Sequence, residues 1–306
     1  MNMNKKTEIL NKYWEYLRQK YRSKNTRQNN LKYAKLFLHW LKKEKNKNYK
    51  KMTPQDTKDY KAYCLDNYKQ NGNVGRLNGI NNFVGFLNRP ELRVTAPKSV
   101  QVNKVVLSDK ELEKYIENAD NPLDQLIAIY QIDGLLRPNE FAKLRISLHD
   151  IENQVLYLDD TKSGNKSVIL TPRMIKAYEN YMRFRIPPKN PEHKDRLIIV
   201  DKGSHYGLPI KTKRSDFIRR HTKYIAVKSG FTRSVYPYLI KPSAITDGFN
   251  KQMNPRIIQR QARHKRIETT LRYDQTTDKM VKDYFNKTQG KINNETNNRS
   301  DNIGYV

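Results

Sequence analysis

Residues 264–273 run His264-Lys265-Arg266-Ile267-Glu268-Thr269-Thr270-Leu271-Arg272-Tyr273. A histidine closes a helix that begins at a proline, and a tyrosine follows nine residues later. Ile267 and Leu271 stand at i and i+4, which anchors the intervening turn on an apolar face. That anchoring presents His264 and Tyr273 from one compact unit. Arg272 lies next to Tyr273 and lowers the cost of a phenolate or a phosphate nearby. Most tyrosines are packed side chains with a satisfied hydroxyl, and this stretch taken alone leaves that reading open.

Working outward, Arg137-Pro138-Asn139-Glu140-Phe141-Ala142-Lys143-Leu144-Arg145 follows the apolar run from Pro122 to Ile132. Arg137 sits where a helix starts, so its guanidinium adds to the positive end of the helix dipole. The plain alternative is an Arg–Glu pair at i and i+3 on a surface helix. Lys162 stands in Lys162-Ser163-Gly164-Asn165, a turn between two short strands at 155–158 and 167–170. It reads either as a mobile cation able to give a substrate group a proton or as a charged turn residue in solvent.

Together these pieces, in this order, resemble the tyrosine recombinase (integrase) family over residues 7 to about 286. The matching residues are Arg137-x-x-Glu140-Phe141-x-x-Leu144-Arg145, Thr161-Lys162-Ser163-Gly164, and His264 with Thr269-Thr270-Leu271-Arg272-Tyr273. The resemblance implies that Tyr273 is the nucleophile and forms a 3′-phosphotyrosyl link, freeing a 5′-hydroxyl. It implies that Arg137 grips the scissile phosphate, Lys162 protonates the leaving oxygen and His264 hydrogen-bonds the phosphate. The covalent link conserves the bond energy, so the resemblance implies no cofactor, neither ATP nor a metal. The implied partner is double-stranded DNA at attachment or recombination sites, held by a homotetramer on two duplexes. A mobile element such as a virus or plasmid is the expected setting, with chromosome-dimer resolution as the alternative within the same chemistry. A DNA-relaxing topoisomerase using the same phosphotyrosine is a more distant alternative.

The family's His-x-x-Arg element is altered. Tyr238 stands at the histidine position and Lys241 at the arginine position, within Val235 to Ser243. A lysine keeps the charge and loses the planar fork. A tyrosine can donate or accept a hydrogen bond but is a weak base at neutral pH. Arg263 occupies the place before the final histidine where a glycine is common, and Gly134 lies one residue further from Arg137 than is usual. Either Lys241 does the arginine's work, with Arg233, Arg256 and Arg260 as further candidates, or the chain is a degenerate DNA-binding protein.

Composition agrees with a polyanionic partner. The 306 residues carry 60 Lys and Arg against 31 Asp and Glu, a net charge of +29. The first 100 residues hold 23 basic and 7 acidic side chains, so they carry +16 of that charge. A single cysteine, Cys64, excludes a disulfide scaffold. No apolar stretch is long enough to span a membrane, and Met1 to Lys6 lacks the apolar core of a secretory signal, so a cytoplasmic protein is expected.

The expected fold is mainly α with a small antiparallel β-sheet (α+β): an N-terminal helical DNA-clamp domain followed by a tyrosine recombinase catalytic domain. Helical periodicity runs through Leu10, Tyr13, Trp14 and Leu17, and again through Leu31, Ala34, Phe37, Leu38 and Leu41, with Lys24 to Arg27 just before that second helix. Thr53-Pro54-Gln55-Asp56 and Ser108-Asp109-Lys110-Glu111 mark helix starts. The domains are placed at 1–88, a linker at 89–106, the catalytic domain at 107–286 and a polar tail at 287–306. Leu197 to Val200 is a candidate strand, and helices are expected at about 172–185, 212–228, 242–250, 255–263 and 266–273. An apolar C-terminal helix with Met280, Val281, Tyr284 and Phe285 is a candidate for docking on a neighbouring protomer or on its own domain.

Overall fold

The computed structural model describes residues 3–100, 105–158, 167–210, 216–275, 277, 281–282 and 285–286, with side chains from residue 8 onward. The chain divides into two compact units, Met1–Asn103 and Lys104–Val306. Among the described residues no helix is long and apolar enough to cross a membrane.

The first unit holds α1 (Met3–Lys20), α2 (Lys24–Lys45), α3 (Pro54–Asn67) and α4 (Gln70–Phe86). Its core is the expected set of helical stripes, with Tyr13, Leu17, Phe37, Leu41, Leu77 and Phe83 removed from solvent. Ser23 caps α2, its hydroxyl accepting from the Thr26 N–H. Lys24 to Arg27 therefore form the first turn of that helix and do not precede it. The capping box at α3 is present, the Asp56 carboxylate accepting the Thr53 N–H at 2.8 Å. Helices α2 and α4 cross so closely that a Cβ on Gly79 would lie 2.7 Å from the Tyr33 ring.

Of the segment expected as a linker over 89–106, residues 89–100 pack on the first unit. Leu92 and Val94 are buried in the first unit's core. The Asn81 amide bonds both backbone groups of Val94, at 3.0 and 2.7 Å. Asn71 does the same for Val100, at 2.9 Å each way. Side-chain amides thus stand in for a neighbouring strand, and an extended segment with two sparse apolar anchors shows no helical period.

The second unit begins with α5 (Asp109–Glu117) and α6 (Pro122–Ile132). Helix α6 is apolar on almost every side because its neighbours surround it, with Leu126, Ile127, Ala128 and Tyr130 fully buried. The one-turn α7 (Pro138–Phe141) follows. A three-stranded antiparallel sheet then runs β1 (His149–Asp150), β2 (Val155–Tyr157) and β3 (Ser167–Ile169), in that order. Leu156 pairs with Val168 in register, and both face the core. Next come α8 (Pro172–Phe184), α9 (Asp216–Lys228), α10 (Pro237–Asn250), α11 (Pro255–Ala262) and α12 (Ile267–Leu271).

Three differences from expectation have physical reasons. Leu197 to Ile199 are buried as expected but lie extended without a ladder, joined to the rest by an isolated bridge from Ile199 to Pro209. The two-residue β1 was not foreseen, because two residues show no alternation. Helix α10 starts at Pro237 and runs through Pro242, five residues before the expected start at 242. Pro242 removes one helical hydrogen bond, and burial of Leu239, Ile240, Ile245 and neighbouring positions outweighs that loss. The Lys162 turn, residues 287–306, Met280 and Tyr284 lie outside the described residues.

Candidate active site

The site is built where α6 turns into α7. After α6 the chain passes Gly134, where a Cβ would lie 2.8 Å from the Tyr130 carbonyl oxygen, so no larger residue fits. Leu135 follows in the left-handed region, at φ 49°. This turn gives the carbonyls of residues 134 and 135 to cations instead of a helix ladder. Arg137 is the N-cap residue of α7, and Glu140 reaches back to it. Glu140 Oε2 accepts the Arg137 backbone N–H at 2.7 Å, and Oε1 accepts from the Arg137 guanidinium at 3.0 Å. The Arg137 side chain keeps 38% of its surface exposed, so part of its fork remains available.

Lys241 comes from the middle of α10 and is almost completely buried. Its Nζ donates to the Leu135 carbonyl at 2.8 Å and the Ala262 carbonyl at 2.9 Å. Burial, and then the nearby charges of Arg263 and Arg137, pull its ammonium well below the usual lysine range, with Glu140 opposing. Arg263 closes α11 in the left-handed region, at φ 56° and ψ 44°. Its side chain has 0% exposure. It donates to the carbonyls of Gly134, Leu135 and Gln261, and to Glu140 Oε2 at 2.7 Å. Burial alone would raise the Glu140 carboxyl, but the charge of Arg263, the Arg137 N–H and the other two cations hold it below the usual range.

His264 is buried directly beyond Arg263. Its Nδ1 lies 2.9 Å from the Thr270 hydroxyl, which fixes the ring. Nε2 makes no hydrogen bond among the described residues. Burial, then the charges of Lys241, Arg137 and Arg263, lower its pKa to about 4, so the imidazole is neutral at pH 7. The Tyr273 ring lies parallel to it, with centroids 6.2 Å apart and planes at 19°. Tyr273 also packs on the small apolar cluster of Leu135, Ile245, Ile258 and Ala262.

The fold therefore brings Arg137, Lys241, His264 and Tyr273 to one place. Tyr238 is not among them: it lies on the first turn of α10, 52% exposed, and no hydrogen bond joins it to the others. Lys162 lies outside the described residues, between β2 and β3. Arg233 is engaged elsewhere, donating to both Glu111 oxygens at 2.6 Å. Arg256 bonds Gln259, and Arg260 is exposed. The cation that does join the cluster is Arg263, visible in the sequence only as an odd residue before the histidine. Glu140 also exceeds its expected part: its carboxylate is shared between Arg137 and the buried Arg263.

Residues 105–280 match the phage integrase family. The tyrosine recombinase XerA of Pyrococcus horikoshii is 23% identical over 218 residues, covering 70% of this chain and 69% of that protein. The XerA of Pyrococcus furiosus is 24% identical over 214 residues, covering 68% of each. Among solved structures, a lambda integrase dimer bound to a COC′ core site superposes with a TM-score of 0.68 at 15% identity, covering 89% of this chain and 79% of that one. The Tn1549 transposon integrase in complex with a circular intermediate DNA gives 0.66 at 14% identity, covering 91% and 99%. These likenesses establish a shared fold.

Proposed function

Because the chain belongs to the phage integrase family, we propose that it cuts and rejoins duplex DNA through a covalent bond to Tyr273. One observation carries the reading. Arg137, Lys241 and Arg263 gather around a single carboxylate, Glu140, with the His264–Tyr273 pair beside them. The cluster has an excess of positive charge that a phosphodiester would neutralise.

In this reading the Tyr273 phenolic oxygen attacks phosphorus as the bond to the 5′-oxygen breaks. The phenolic proton passes to solvent water, and the departing 5′-oxygen takes up a proton from Lys162. Arg137 and Lys241 hold the non-bridging oxygens as charge builds on them, and the free Nε2 of His264 hydrogen-bonds one of them. A 5′-hydroxyl of the exchanged strand reverses the step and releases Tyr273. Tyr238 stays a candidate for contact with DNA from its exposed position, outside the cluster.

The proposed substrate is the end of a mobile element, such as a virus or plasmid, recognised by paired protomers that assemble as a tetramer on two duplexes. Chromosome-dimer resolution is the second setting, with the same chemistry. The test is a nicked duplex carrying the sequences that flank the gene. A denaturant-resistant protein–DNA adduct is expected, lost in Tyr273→Phe while binding persists. Tight binding without an adduct on any flanking sequence would overturn the catalytic reading. A repeat at the gene's two flanks supports the mobile element, and a match to the chromosome's replication-terminus region supports dimer resolution.

A further inference from the structure

Arg263 has no part in the chemistry just described, yet the protein places it at considerable cost. It is a fully buried guanidinium on a left-handed residue, a position that favours glycine. Its Nε has no hydrogen-bond partner among the described residues. Besides one bond to the Gln261 carbonyl, what it gains is a set of bonds that lead to the phosphate cluster. Two reach the turn before Arg137, at the Gly134 and Leu135 carbonyls. One reaches Glu140, the carboxylate that holds Arg137 from both its backbone and its side chain. The Leu135 carbonyl oxygen accepts from Arg263 and from Lys241, each at 2.8 Å. The other carbonyl that Lys241 uses belongs to Ala262, adjacent to Arg263 in the chain.

We propose that Arg263 is a positioning residue for Lys241, a buried second cation that fixes both of the lysine's backbone acceptors and so aims its remaining donor at the phosphate. The proposal rests on the reading that Lys241 contacts the scissile phosphate. A lysine is a point charge with three rotatable donors on a flexible stem, whereas an arginine brings a preformed fork. Anchoring Nζ at two carbonyls removes the freedom that would make the lysine a poor substitute. Arg263 holds one of those carbonyls directly and the other through its own backbone position. It cannot touch the phosphate itself, because its side chain has no exposed surface.

The charges facing Lys241 add a signature that a purely structural residue would not have. Arg137 and Glu140 face it from α7, and Arg263 and His264 from the end of α11. The positive charge of Arg263 disfavours the ammonium form of Lys241. If the ammonium is the working form, cleavage falls as pH rises through its pKa. Removing the charge at 263 moves that fall to higher pH, even as it slows the reaction.

The test is single-turnover cleavage of the nicked duplex by the full chain, with thermal melting as the control for folding. Lys241→Ala and Arg263→Gly are each expected to slow cleavage by about 10²-fold. The double variant should be no slower than either alone, because one residue acts through the other. Arg263→Gly should also shift the alkaline limb of the rate profile to higher pH. Lys241→Arg combined with Arg263→Gly should recover at least about tenfold over Arg263→Gly, since a fork needs no second cation to aim it. If Arg263→Gly does not fold, Arg263→Lys takes its place in the cycle with Lys241→Ala, and its loss must again vanish in the double variant. Losses that multiply, or a position-263 variant at the wild-type rate, overturn the proposal while the reading of Lys241 stands. Wild-type cleavage by Lys241→Ala would instead remove the reading of Lys241, and this inference with it.

Discussion

At the residue scale, a buried histidine and a half-buried one make stability depend on acid. His264 is lowered to about 4 by burial and then by the surrounding cations. His149, stacked on Tyr178 with its Nδ1 on the Arg145 carbonyl, is lowered to about 4 by burial. Between pH 6.5 and 4 the unfolded chain binds protons at both positions and the folded chain does not. Stability is therefore fully present above about 6.5 and is lost as pH falls toward 4. Glu140 acts in the same direction lower down. Its folded pKa lies below the usual value, so its contribution is lost as pH falls through that depressed value. Urea midpoints measured at pH 7 and pH 4.5 should differ, with the acidic one lower. A flat midpoint over that range would mean the two imidazoles are solvated. Arg137, His264 and Tyr273 were legible as candidates because the motifs that carry the family resemblance are local in sequence. The burial of Arg263 was not, because it depends on a non-glycine residue adopting a left-handed cap and on acceptors about 130 positions away in sequence.

At the scale of elements, helix starts with a local cap were legible, whereas those of α2 and α10 were misplaced. The starts at Thr53 and Ser108 are local in sequence, and both are capping boxes in the structure. Contacts between elements were not legible, and Gln261 is the clearest case. Its side-chain amide accepts the Ile169 N–H at 3.1 Å and donates to the Ile169 carbonyl at 2.9 Å. It also donates to the Asp133 carbonyl at 2.9 Å. A helix side chain thus takes the place of a neighbouring strand along β3 and ties that strand to the turn entering the site. Gln261→Leu keeps the volume and removes all three bonds. Ile169 is exposed enough for water to replace part of the loss, so the expected cost is about 1–2 kcal/mol in urea unfolding. Amide exchange at Ile169 should quicken, while the α6 core amides stay protected. Unchanged exchange at Ile169 would show that the strand edge does not depend on the clip.

At the scale of the whole molecule, positive charge is densest in the first 100 residues, while the proposed chemistry belongs to the second unit. Two units were legible from composition, because the basic surplus is concentrated in the first 100 residues. The boundary was less legible, because the segment through Val100 joins the first unit by side-chain amides and two buried apolar residues. Helix α2 carries an exposed line of Gln28, Lys32, Lys35, His39 and Lys42, spaced at i, i+4, i+7, i+11 and i+14. Among the described residues no acidic partner pairs with Lys32 or Lys35. A stripe of this kind supplies sequence-independent attraction to phosphates, each neutralised phosphate adding about −0.9 to the slope of log K against log salt. In the proposed reaction the cluster around Tyr273 instead acts on one phosphate once the duplex is bound. The double variant Lys32→Gln/Lys35→Gln should therefore weaken DNA binding and reduce the salt slope by up to about 2. Its single-turnover cleavage at saturating DNA should equal that of the wild type. Tyr273→Phe should show the reverse, with the full salt slope and no cleavage. An unchanged slope in the lysine variant would mean that α2 does not meet the duplex. A reduced rate at saturation would mean that the first unit also shapes the reacting geometry, and the separation of affinity from chemistry would fail.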